Sequence, residues 1–437
     1  MKPVRTFITR TIVFITAALA MAGLLVLVAM IPKDAIQEKC LESAQYLADN
    51  ELFGDTLEGI AGSRIDRYAD SILLNIAYNY DRLHPLKSVI LSAYHFDKYQ
   101  EENINFLNAV TEDLPANQQY LRYWHGSITI IRPLLTLFSI RQIYILNGII
   151  LLFLTAVFLI MTIKQRLYAP AIGMITALIS TGCWFVPLSL EYMWTFKVML
   201  IASIVALRIS DSSKEKNYAV FFLLTGMITN WLDFLTTETV TLLIPLLIIL
   251  WTKRNLSYDK DPAYGETGYS PVKICIESGI AWLVGYIGMW LSKWILSAIV
   301  LRENVIPYIS EHISERLGGD VGISLSGYLT GAITRNIGCL FPFGYGSAGF
   351  IIGLILPFAA AYLGFVYRRM EFNLKYVLLY AIVGIIPYVR YLILHNHSYI
   401  HFFFTYRAQA ATVMAVVFML SELTGIGSCT VKKGRCN

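Results

Sequence analysis

Two aspartates stand four residues apart in the segment 64–71, RIDRYADS, which precedes an apolar run. Residues i and i+4 of a helix share one face, so Asp66 and Asp70 would point the same way. A carboxylate in this place can accept a proton from an attacking hydroxyl or hold a divalent cation. The structural alternative puts Asp70 at or near a helix N-cap, with Arg67 as a solvated partner.

Polar side chains are also dense in the short segment 229–238, TNWLDFLTTE, which lies between two apolar runs. Turn chemistry accounts for an aspartate such as Asp233. It does not account for two threonines, an aspartate and a glutamate near membrane depth, where polar groups are costly unless they face protein or a wet cavity. Function and structural capping are therefore both open for Asp233.

A third group of candidates lies near the C-terminal end, in Arg390, the segment 395–401 (HNHSYIH) and Arg407. His397 and His401 share a helical face and suit one metal or one phosphate. Ser398 occupies the glutamate position of H-E-x-x-H, so no zinc site is predicted. Arg407 lies inside an apolar run, where a guanidinium needs an anionic ligand or an internal ion pair, for example with Asp233.

Further cations belong to the same half of the molecule: Arg122, His125, Arg132, Lys197 and Arg335. Together they could line a pocket for a phosphate or pyrophosphate head group. The alternative is snorkelling of long side chains at a membrane boundary. Aromatic residues among them are typical of an interfacial belt, with sugar stacking as the second interpretation.

The elements that position these residues are apolar helices. Of 437 residues, 56% are hydrophobic and only 15% charged, which indicates a membrane protein. A span needs roughly 20 apolar residues. The sequence predicts an all-α, polytopic transmembrane helix bundle with about ten spans, at 11–31, 141–163, 167–185, 190–208, 217–230, 238–251, 274–300, 346–366, 375–394 and 402–421.

Basic residues between the predicted spans set the orientation. They cluster in alternate loops, and the short loops near Ser189, Asp233 and Ser398 carry no Lys or Arg, so the positive-inside rule places both termini in the cytoplasm. The first apolar run is longer than a signal-peptide core, which predicts a retained span. The net charge of +5 is then explained by cytoplasmic loops, and no nucleic-acid partner is expected. We expect a multi-pass bacterial inner-membrane protein.

Two long segments fall on the non-cytoplasmic side, at 32–140 and 301–345. The first is too long for a connector and should be structured. Within it, 44–52 and 70–80 are predicted as short helices, and 127–138 as a helix at the interface. The whole chain, 1–437, is predicted to form one membrane domain, and Cys40 with Cys339 is the only cysteine pair on this side.

An N-in first span, a long outer loop with short helices and an acidic residue, and many further spans resemble the GT-C class of membrane glycosyltransferases. The resemblance implies that Asp66 or Asp70 is the general base and that the basic residues hold a lipid phosphate. It further implies a polyprenyl-phosphate-linked sugar as donor, a glycan or lipid acceptor, and inversion at the anomeric carbon. No cofactor is required, and a divalent cation is optional.

Two other classes compete with this expectation. A transporter or lipid flippase for an anionic or glycolipid substrate would also use intramembrane Arg and Asp residues. Transporters often show paired repeats, however, and the sequence has none. An assembly protein without catalysis would use the same polar residues only to pair its helices.

Overall fold

The computed structural model describes residues 2–210, 218–254, 270–318, 323–340, 347–370 and 372–425. In this part of the chain the regular elements are helices, and no strand is formed. The α-helices are α1 (Lys2–Ala29), α2 (Gln37–Ala48), α3 (Arg67–Tyr78), α4 (Pro85–Leu91), α5 (Glu102–Thr111), α6 (Ile128–Leu134), α7 (Ile140–Lys164), α8 (Tyr168–Ser180), α9 (Met193–Ser210), α10 (Tyr218–Leu232), α11 (Val240–Lys253), α12 (Pro271–Leu301), α13 (Ile306–Gly318), α14 (Leu325–Gly338), α15 (Ser347–Val366), α16 (Leu374–Ile393), α17 (His395–Ile400), α18 (Phe402–Thr405) and α19 (Ala410–Thr424).

Seven helical stretches of the described residues are long and apolar enough to cross a membrane: Val4–Ala29, Ile140–Lys164, Met193–Ser210, Pro271–Leu301, Ala348–Val366, Leu374–Ile393 and Phe402–Thr424. Three shorter apolar helices accompany them, α8, α10 and α11. The predicted all-helical class is confirmed for the described residues, and these helices are candidates for membrane spans. Each of the ten predicted spans overlaps one of these stretches, and the count of ten crossings stays a prediction.

The outward faces of several long helices are covered with apolar side chains. On α7, Ile145, Ile149, Leu152 and Phe153 are exposed although the helix is strongly apolar. By contrast, 72% of the apolar window of α9 is buried within the protein. Because exposed aliphatic rows are stable only against an apolar solvent, these faces are compatible with contact with lipid.

The segment that links α1 to α7 is structured, as predicted, and carries α2 to α6. The predicted helices 44–52 and 70–80 correspond to α2 and α3, which both begin earlier than expected. The N-cap of α3 is Asp66, whose Oδ1 accepts a hydrogen bond from the Ala69 amide at 2.8 Å. Asp70, which the sequence placed at or near the cap, lies near it, within the first turn, and is fully buried.

Arg132 fastens this linking segment to the first helix. Its guanidinium donates to the carbonyl oxygen of Ala77, and to that of Ile31 at 2.7 Å. The end of α3 is thereby tied to the chain that leaves α1. Farther along, the predicted outer segment 301–345 carries α13 and α14, and its residues 319–322 and 341–345 lie outside the described residues. Cys40 and Cys339 are both free thiols.

Candidate functional site

A cleft lies where five parts of the chain meet: α3, the chain after α5, the chain before α9, the turn after α10 and the segment α17–α18. Its empty space, counted together with the open solvent at its mouth, is about 560 Å³. Its lining is acidic, imidazole-bearing and aromatic: Asp66, Tyr68, Ala69, Ile72, Leu73, Tyr120, Tyr123, His125, Glu191, Phe234, His397, His401 and Phe404. Four residues singled out from the sequence therefore meet at one place, although they are far apart in the chain: Asp66, His125, His397 and His401.

Asp66 enters the cleft because it caps α3. The cap bond fixes the carboxylate at the first turn, where its residue is only 3% exposed. Burial raises the pKa of Asp66 to about 6, and hydrogen bonds from the Ala69 amide and from Glu191 oppose that rise. The carboxylate can thus be ionised at neutral pH and still be basic enough to accept a proton.

Glu191 is the second carboxyl of the cleft, and sequence reasoning missed it. It lies between a short 3-10 helix, Cys183–Leu188, and α9, and it hydrogen-bonds the side chain of Asp66. Burial and the neighbouring carboxylates Asp66, Asp70 and Asp233 raise the pKa of Glu191 well above its usual range. The surroundings therefore favour the protonated form of Glu191, which can donate a hydrogen bond to Asp66.

Asp70 does not line the cleft. Its carboxylate accepts hydrogen bonds from the Tyr144 hydroxyl at 2.5 Å, the Leu190 amide at 2.9 Å and the Ser189 hydroxyl at 3.2 Å. Burial nevertheless raises its pKa to about 7. These contacts join α3 to α7 and to the segment that contains Glu191. Asp70 therefore fixes the position of the segment that places Glu191 in the cleft.

Asp233 likewise lies outside the lining. Its carboxylate accepts from the Thr236 amide at 3.1 Å and from the Thr236 hydroxyl at 2.5 Å, which closes the turn after α10. Burial and the nearby Glu238 raise its pKa to about 7. The turn presents Phe234 to the cleft, and Asp233 stabilises the turn.

The histidines approach from two sides. The rings of His397 and His401 are 4.7 Å apart, and Nε2 of His397 lies 2.8 Å from the Leu235 carbonyl oxygen. A carbonyl only accepts, so this contact assigns the proton of His397 to Nε2. His125 packs on Tyr120 and Phe234, and burial together with Lys293 lowers its pKa.

The two arginines near the C-terminal end bind protein groups. Arg390 forms a buried ion pair with Glu238, with Nε to Oε1 at 2.9 Å, and also donates to the Leu235 carbonyl oxygen. Arg407 donates to the carbonyl oxygens of Gly62 and Phe403, and stacks over two tyrosine rings. Among the described residues no ion pair joins Arg407 to Asp233.

The remaining predicted cations also lie away from the lining. Lys197 donates to Asn147 at 2.9 Å and lies over the Trp194 ring. Arg335 donates to the Tyr399 carbonyl oxygen, and Arg132 is fastened as described above. Arg122 lies closer to the cleft than these cations do. Its guanidinium lies over the rings of Tyr120 and Tyr123, two residues of the cleft wall.

Within the described ranges, no group of three or more His, Cys, Asp or Glu side chains has the arrangement of a metal site. Comparisons with protein-family models, with curated proteins and with solved structures found no match to this chain.

Proposed function

We propose that the protein is a membrane glycosyltransferase of GT-C-like architecture, which moves a sugar from a polyprenyl-phosphate donor to a glycan or lipid acceptor. The observation that carries this proposal is Asp66, a buried carboxylate in a cleft, basic enough to take a proton and still ionised at neutral pH. The proposal includes ten membrane crossings, a cleft on the non-cytoplasmic side of the inner membrane, and both termini in the cytoplasm.

In the proposed reaction Asp66 accepts the proton of the acceptor hydroxyl while the hydroxyl oxygen attacks the anomeric carbon. The bond from that carbon to the lipid-phosphate oxygen breaks on the opposite face, so the configuration inverts. General bases of this kind contribute roughly 10²–10⁴-fold to the rate. Because the phosphate is already a good leaving group, no nucleotide is consumed.

The departing phosphate needs donors. Of the groups at the cleft, His401 and Arg122 have the required chemistry, since preorganised donors stabilise a growing negative charge. The proton of His397 already goes to the Leu235 carbonyl oxygen, so His397 orients the wall of the cleft in this proposal. Arg122 carries a permanent charge and lies beside the wall formed by Tyr120 and Tyr123. Arg390, Arg407, Arg132, Lys197 and Arg335 do not line the cleft, and in this proposal they support the fold around it.

The aromatic wall fits a sugar. Tyr120, Tyr123, Phe234 and Phe404 line the cleft together, and the apolar face of a sugar ring can pack on such rings. In the proposal these rings orient the sugar, and the carboxyl pair lies close enough to act on its substituents.

The direct test uses purified protein and a panel of radiolabelled polyprenyl-phosphate sugars with candidate acceptors. We expect a new glycosidic bond whose anomeric configuration, read by NMR, is opposite to that of the donor. Retention of configuration would contradict the role given to Asp66. Movement of a labelled glycolipid across proteoliposomes without a new glycosidic bond would instead assign the protein to the transporters.

A further inference from the structure

We infer that the cleft binds a sugar-sized ligand that carries a protonated amino group, and that Glu191 is the residue that binds this group. The inference deepens the proposed function and rests on it only in taking the cleft as the sugar site. It names the class of substrate, an amino sugar, which the proposed reaction leaves open.

The first observation that supports this inference is a buried carboxyl oxygen that can still accept a hydrogen bond. Glu191 lines the cleft and is 8% exposed, and among the described residues no N–H or O–H group donates a hydrogen bond to its Oε2. A buried acceptor without a donor is costly, so such atoms in native proteins usually await a ligand or water. An ammonium group supplies both the donor and the opposite charge.

The second support is the sign of the charge around the cleft. Asp66, Asp70 and Asp233 all act on Glu191, and no lysine or arginine is among the residues described as lining the cleft. The other titratable groups of this region are His125, His397, His401 and Tyr192. Arg407 lies over the Tyr192 ring, and Arg122 lies over the rings of Tyr120 and Tyr123. Burial keeps His125 neutral, so the floor of the cleft attracts cations.

The third support is the aromatic wall. Tyr120, Tyr123, Phe234 and Phe404 surround the same space as Glu191. The face of an aromatic ring attracts an ammonium group, and more strongly where water is excluded. Aromatic rings beside a buried carboxyl therefore select a ligand that is apolar on one face and cationic at one substituent.

Binding of the amine has a chemical consequence for the carboxyl pair. The ligand's ammonium group takes the place of the proton held by Glu191, which leaves to solvent, and the pair becomes two carboxylates bridged by the ammonium. Asp66 then accepts a hydrogen bond from the ammonium in place of the one from Glu191, and both carboxyl groups are ionised.

The test measures binding and needs no turnover. Glucosamine, glucose and N-acetylglucosamine are titrated calorimetrically into the full-length protein in detergent, in buffers with different heats of ionisation. We expect glucosamine to bind at least about tenfold more tightly than the two neutral sugars, since a desolvated ammonium contributes that much. We also expect release of up to about one proton per glucosamine bound.

Glu191→Gln is expected to bring the three sugars to similar affinity, and Glu112→Gln, an exposed site outside the cleft, should leave the preference unchanged. Proton release by the wild-type protein keeps the test decisive should Glu191→Gln fail to fold. Equal affinities in the wild type, no binding of glucosamine at millimolar concentration, or a preference that survives Glu191→Gln would each overturn the inference.

A second arm locates the amine. Polyprenyl-phosphate-linked glucosamine is compared with polyprenyl-phosphate-linked glucose for binding to the wild-type protein. Tighter binding of the amino form supports the inference and assigns the amine to the donor. A preference confined to the free amino sugar also supports it and assigns the amine to the acceptor. Amine binding without turnover would refute the proposed transferase and leave this inference standing.

Discussion

Asp66 and Asp70 are one helical turn apart and have different surroundings. Asp66 caps α3 and faces the cleft beside Glu191, whereas Asp70 accepts three hydrogen bonds inside the protein. We therefore assign Asp66 the role of the base and Asp70 a structural role as a hydrogen-bond acceptor. Substitutions at the two sites should separate these roles.

The pH dependence of turnover reports on Asp66. A general base acts only when ionised, and the pKa of Asp66 is raised to about 6. We therefore expect kcat/KM to be maintained above pH 6 and to fall about tenfold per pH unit below it. The profile is measured between pH 5 and 8. A flat profile across this range would contradict the assignment, and Asp66→Glu serves as the control that keeps a carboxylate.

Loss of Asp70 should lower stability instead. Asp70→Ala leaves the Tyr144 hydroxyl, the Ser189 hydroxyl and the Leu190 amide without their acceptor, which costs about 2–4 kcal/mol. Asp70→Asn keeps an acceptor oxygen and should cost less. Thermal unfolding in detergent, followed by tryptophan fluorescence, measures both variants. Equal melting temperatures for wild type and Asp70→Ala would show that these bonds contribute little.

Sequence reasoning found some site residues and missed others for definite reasons. Asp66, His397 and His401 stood in local patterns that suggested chemistry, and they line the cleft. Glu191 gave no such signal, because it is a lone glutamate between two apolar stretches, and only its contact with Asp66 shows its role. The ion pair of Arg390 also could not be predicted, because its partner Glu238 lies 152 residues away in the chain.

Helices α10 and α12 pack closely against each other and cross at two glycines, Gly226 and Gly285. A Cβ on Gly226 would lie 2.1 Å from the Trp282 carbonyl oxygen, and one on Gly285 would lie 2.2 Å from that of Leu223. Neither backbone can yield without separating the helices. Small residues at such crossings let membrane helices approach closely.

We expect Gly226→Ala to lower the melting temperature, at a cost of about 1–3 kcal/mol or more, because it overpacks this crossing. Gly279→Ala is the matched control on α12, where an added Cβ meets nothing within 4 Å. The control should be neutral or slightly stabilising, since alanine favours helix. The melting temperatures of the two variants, measured side by side by thermal unfolding, test this expectation. Equal destabilisation by both substitutions would contradict the close packing of α10 on α12.

In the molecule as a whole, the hydropathy of the sequence predicted the apolar helices, but it could not predict how these helices pack against one another. Apolar runs require helices in a membrane, which is why the predicted spans overlap α1, α7 to α12, α15, α16 and the stretch that ends in α19. The tertiary contacts of the outer segments, by contrast, correspond to no hydropathy pattern in the sequence. The cleft, built from five separate parts of the chain, could therefore not be predicted as a unit.

The orientation in the membrane can be measured with single cysteines. Leu83 lies in the segment predicted outside and Met370 in a loop predicted inside, and both side chains are exposed. A membrane-impermeant maleimide applied to intact spheroplasts should label Leu83→Cys and leave Met370→Cys unlabelled until lysis. Wild-type protein gives the background from its own cysteines. The reverse pattern would place the cleft in the cytoplasm.

If Asp66 is the base of a sugar transfer, the rate at which free lipid phosphate is released depends on its carboxylate. Wild type, Asp66→Asn and Asp70→Asn are incubated with the radiolabelled polyprenyl-phosphate sugar that the panel identifies as donor. We predict that Asp66→Asn loses roughly 10²–10⁴-fold in rate at unchanged melting temperature, while Asp70→Asn keeps most of its activity. Turnover indifferent to Asp66→Asn, or absent with every donor in the wild type, would contradict the account.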